Sequence, residues 1–87
     1  MKTDVELRSS ITDASEFVDL KMWKDIVAEL EGWIEAIRHG LETETDKEEI
    51  LRLQGRVEAC RYFLVLPSVI LEDLKLTKEV EEEEDER

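Results

Sequence analysis

The sequence predicts an all-α protein, an antiparallel helical hairpin with a short third helix that assembles into a helical bundle. Three observations carry this reading. Apolar residues recur in alternating steps of three and four over two long stretches. Each stretch opens on an acidic side chain spaced to cap a helix. The 87 residues include only three glycines and one proline, too few for the closely spaced turns of a β-sandwich.

Residues 1–12 lack a sustained period and read as a flexible arm, with Val5, Leu7 and Ile11 as isolated apolar residues. The first helix is expected from Asp13, with Glu16 completing a capping-box spacing. Its stripe is Leu20, Trp23, Val27, Leu30, Ile34, Ile37 and Leu41, widened by Ile26 and Trp33. Trp23 is expected in the core. Trp33 flanks the stripe and suits either the edge of the core or an interface. Gly40 is expected in a left-handed C′ position, with Leu41 folding back and His39 complementing the helix dipole when protonated.

After a short polar loop, Asp46 or Thr45 caps a second helix, with Glu49 placed to complete a box. Its stripe is Ile50, Leu53, Val57, Cys60 and Leu64. The short connection predicts antiparallel neighbours about 40 Å and about 30 Å long. Pro67 is expected to break or bend the helix, since it gives no N–H and crowds the preceding turn. A short third helix then starts at Ser68, with Val69, Ile70, Leu71, Leu74 and Leu76 on its apolar side. The domain reading is thus arm 1–12, helices 13–76, and a disordered acidic tail over 77–87.

Helix two carries a second apolar strip opposite its seam: Leu51, Gly55, Ala59, Tyr62 and Leu66. A hairpin partner covers one face only, so the strip needs another cover. A second copy, another protein or the third helix folding back would each supply it. Gly55 costs about 1 kcal/mol relative to alanine inside a helix. With Ala59 it forms a notch where a second backbone can approach, unless it is a tolerated surface glycine. The interface residues expected from the sequence are therefore Leu51, Gly55, Ala59, Tyr62, Leu66 and Trp33.

Charge and composition limit the function. The formal net charge is −12, from 24 acidic and 12 basic side chains. Such a chain is repelled by nucleic acid and anionic membranes unless one face is basic. Lys47, Arg52 and Arg56 are interleaved with Glu48, Glu49 and Glu58, so no basic stripe forms. No apolar run approaches the ~18 residues of a membrane span. The single cysteine precludes an intrachain disulfide and a cysteine-based zinc site. Cys60 falls on the seam and reads as a small buried hydrophobe. Glu35 and His39 stand one turn apart, a spacing unlike the paired Glu-x-x-His motifs of di-iron bundles. No phosphate loop, nucleophile elbow or metalloprotease motif occurs, so neither enzyme activity nor a cofactor is expected.

Residues 49–71 contain the run Leu51, Arg52, Leu53, Gln54, Gly55, Arg56, followed by Leu66 and Pro67 and an apolar turn. This stretch resembles small acidic helical accessory and virion-associated proteins of tailed bacteriophages. Cys60 departs from the apolar residue usual there. The resemblance implies an accessory, assembly or virion-associated protein, in the host cytoplasm or the particle, and carries no activity with it. The expected function is a non-enzymatic protein-interaction module that forms homo-oligomers and joins a larger assembly, its partner protein basic in one version. No direct contact with nucleic acid or membrane is expected. The alternative is an acidic inhibitor that imitates nucleic acid in the basic groove of a host enzyme. Against that alternative, seven of the 24 acids fall in the last ten residues, which read as unfolded.

Overall fold

The computed structural model describes residues 5–85. Within them the fold is all-helical, with three helices and no strand: α1 (Ile11–Phe17), α2 (Lys21–Leu41) and α3 (Lys47–Asp85). Residues 1–4 of the expected arm and residues 86–87 of the expected tail lie outside the described residues.

The first helix starts earlier than the Asp13 signal suggests, and it is short. Ser10 caps α1, and its hydroxyl accepts from the Asp13 N–H at 3.0 Å. The Asp13 carboxylate in turn accepts from the Ser10 N–H at 2.9 Å. Asp13 is therefore the third residue of a reciprocal capping box, not the cap itself. Ile11 and Thr12 are helical, and residues 5–10 of the described arm lack helix.

Residues 18–20 interrupt what the sequence reads as one helix. The Asp19 and Leu20 N–H groups bond back to Glu16 and Phe17, and Leu20 then turns extended before α2 begins. The break lets α1 lie on α3, burying Ala14 and bringing Phe17 to 5.3 Å from Trp23, ring centre to ring centre. A straight continuation would have pointed these apolar groups into water.

α2 packs on α3 through the expected seam except at Leu20, which precedes the helix as its N-cap and is exposed. Trp23, Leu30, Ile34 and Val57 are buried, and Ile50, Leu53, Cys60 and Leu64 are half-buried. Gly40 is an ordinary helical residue: no described glycine has positive φ, and α2 runs on through Leu41. Asp46 opens α3 as expected, its carboxylate accepting from the Glu48 N–H at 3.1 Å and its carbonyl from the Ile50 N–H at 2.9 Å. Glu49 does not complete a box; it pairs with Arg52 instead.

The largest departure from expectation is the length of α3. Its 39 residues pass through Pro67 without ending, so no separate third helix begins at Ser68. The short helix of the fold is α1. Pro67 cannot supply an N–H to the Phe63 carbonyl. Pro67 is half-buried and lines a groove with Ala14, Phe17, Trp23, Phe63 and Ile70. The acidic segment expected to be disordered continues the helix to Asp85.

The resulting shape is a rod, 61 × 29 × 15 Å, with a radius of gyration of 17.9 Å. A compact chain of this length has about 12 Å. The core is correspondingly thin. Ala14, Trp23, Leu30, Ile34 and Val57 are buried, and no described side chain is fully sealed from solvent.

Candidate interaction surface

The side of α3 facing away from α2 is apolar and open. Helical spacing puts Leu51, Gly55, Ala59, Tyr62 and Leu66 in one file opposite the seam. All five are exposed, with Leu51 at 61%, Tyr62 at 59% and Leu66 at 45%. The third helix that could have folded back over them does not exist as a separate element. Instead α1 reaches the edge of the file, where Leu66 forms one wall of a groove of about 370 Å³ with Phe17, Trp23 and Phe63.

The file runs further than the sequence reading had it. Because α3 is unbroken at Pro67, Val69, Leu76 and Val80 continue the same side at steps of three, seven and four. Each is exposed by 43% or more. Asp73 occupies the intervening place. The proline signal concealed this extension, because it suggested that the phase of the helix restarts at Ser68.

The polar groups on this surface are held locally. The Tyr62 hydroxyl lies 3.3 Å from a Glu58 carboxylate oxygen one turn back. This leaves the ring face outward and tethers its polar end. A side chain built at Gly55 would meet nothing within 4 Å, and the same holds at Gly32 and Gly40. No packing within the chain therefore calls for a glycine at position 55.

Trp33 stands apart from this file, on α2. It is 54% exposed, and its indole N–H donates to Glu29 at 3.1 Å. It belongs to neither the core nor the α3 strip. Met22, on the same side of α2 about three turns earlier, is exposed by 69%.

His39 lies 3.7 Å from Glu42, and both are solvent-exposed. Cys60 is half-buried in the seam. Among the described residues, no cluster of three or more His, Cys, Asp or Glu side chains is placed to share a metal ion. Two carboxyls are shifted below their ordinary range. Hydrogen bonds from the Ser10 backbone and hydroxyl lower Asp13, and the Arg52 guanidinium lowers Glu49. Both serve helix starts. No described helix is long and apolar enough to cross a membrane.

No protein-family model, curated protein or solved structure matches the chain.

Proposed function

We propose that the chain is a non-enzymatic helical interaction module whose docking surface is the outer face of α3. One observation carries this reading: a file of largely exposed apolar side chains lies on the side of α3 facing away from α2, bordered by α1 at Leu66 and by Val5 and Leu7 at Leu76 and Val80. Exposed apolar strips of this extent are uncommon on monomers and mark places of association. The pairing of Trp23 with Phe63, and the groove that Arg38 and Leu41 share with Gln54 and Val57, support an antiparallel hairpin of α2 with the first half of α3. Two such hairpins joined by their outer faces make a helical bundle. The resemblance of residues 49–71 to phage helical proteins supports an accessory or virion-associated setting.

The test is a wedge in the strip. Ala59 is exposed, so Ala59→Arg leaves the single chain able to fold. It should abolish association by gel filtration while the helical circular dichroism persists. Association undiminished in Ala59→Arg would refute the docking role of this face.

The inhibitor alternative gains one specific support. The acids of residues 79–83 stand on a continuous helix and not in a loose tail. Four of those five residues are glutamates, so charge recurs about every 1.9 Å along the axis, near the 1.7 Å of duplex DNA. Capture of a nuclease or polymerase, lost when Glu81, Glu82 and Glu83 become Gln, would favour this alternative. Capture of particle proteins would favour the first reading.

A further inference from the structure

We infer that the occupant of the outer face of α3 is the same face of a second copy, laid antiparallel. The inference rests on the docking role proposed above and adds the partner and its direction.

The geometry of the strip is the first support. From Ala59 through Tyr62, Leu66, Val69, Asp73 and Leu76 the steps alternate three and four, the spacing that keeps a seam facing a partner helix. Between Leu51 and Val80 the file is about 44 Å long. Its length suits another long helix better than a compact domain.

The area is the second. The chain exposes 7,595 Å². A compact monomer of 10.2 kDa exposes about 5,300 Å². The excess is roughly 2,000 Å², more than the ~800 Å² each partner contributes to an ordinary stable interface. The rod shape accounts for this excess, and pairing along the rod is the arrangement that removes it.

Charge sets the direction. In residues 47–66, Lys47, Arg52, Arg56 and Arg61 outnumber three glutamates. In residues 67–83, six acids face only Lys75 and Lys78. Packed helices lie about 8–10 Å apart. A parallel pair would hold the glutamates of residues 79–83 against their own copies at that distance. An antiparallel pair puts them beside the arginine-bearing half of the partner. The two-fold axis then passes near Val65 and Leu66, and every contact is made twice, as closed symmetry requires.

Interchain energy transfer tests this on the full-length chain. Cys60→Ala removes the native thiol, and Glu48→Cys and Thr77→Cys, both exposed, carry dyes about 44 Å apart along one helix. With donor and acceptor chains both labelled at position 48, transfer should be weak, with a separation of about 40 Å or more. With one chain labelled at 48 and the other at 77, transfer should be strong, within about 20 Å. Strong transfer between two position-48 labels would overturn the antiparallel direction while leaving association intact. A dimer with weak transfer in both combinations would overturn the choice of face. A chain that sediments at 10.2 kDa throughout would remove the second copy as occupant.

Discussion

Trp23 and Phe63 stand with ring centres 6.2 Å apart and planes tilted by 31°. The pair joins the first turn of α2 to the turn of α3 that precedes Pro67. Phe17 adds to it from α1, so all three helices meet at Trp23. Tilted aromatic pairs at this spacing contribute about 0.5–1.5 kcal/mol beyond their buried area.

Trp23→Ala should therefore be the most damaging single truncation in the chain. Loss of a buried tryptophan costs about 3–5 kcal/mol, a large part of what so thin a core provides. Urea unfolding followed by circular dichroism should show most of the stability gone. Trp33→Ala, which removes an exposed ring, serves as the control and should change stability little.

The start of α1 should be sensitive to acid. Asp13 has its carboxyl lowered by Ser10, so its contribution is fully present above the unfolded-state value. It is lost as pH falls through the lower, folded-state value. Glu49 follows the same sign at the start of α3, through Arg52. A carboxyl titration by NMR should find Asp13 below the ordinary aspartate range, returning only part of the way in Ser10→Ala, because the backbone N–H of residue 10, the larger cause, remains. Removal of a helix cap of this kind costs typically about 1 kcal/mol. An Asp13 that titrates in the ordinary aspartate range in the unmodified chain would contradict the box.

The acidic end of α3 should be dispensable for folding. Residues 78–87 carry Val80 as their one apolar side chain. Carboxylates at a helix C-terminus oppose its dipole, and the last turn has no basic residue to offset them. Deleting residues 78–87 should leave the melting temperature unchanged or slightly higher, while the helical signal falls in proportion to the residues removed. A fall of about ten degrees, about 1–2.5 kcal/mol in a domain this small, would mean that the end is docked.

The parts of the fold that follow from spacing were legible in the sequence. Trp23, Leu30, Ile34 and Val57 lie at three-four steps and are buried. The outer strip was legible for the same reason, as a second phase of the same helix. Three features were not. The break at residues 18–20 carries no glycine or proline, and it accompanies the packing of α1 on α3, which buries Ala14 and sets Phe17 against Trp23. Asp13 has box partners in both directions by spacing, Ser10 before and Glu16 after, and local pattern does not choose between them. Pro67 is a strong local stop signal, and α3 nonetheless runs through it. Beyond it, glutamate is a good helix former, and a helix already nucleated and packed extends at small further cost.

Sedimentation equilibrium of the unmodified protein tests the central claim most directly, because the outer face of α3 either is covered by a second copy or is not. At tens of micromolar the account predicts a mass of twice 10.2 kDa, falling toward the monomer on dilution. A single species of 10.2 kDa at the highest attainable concentration would contradict it.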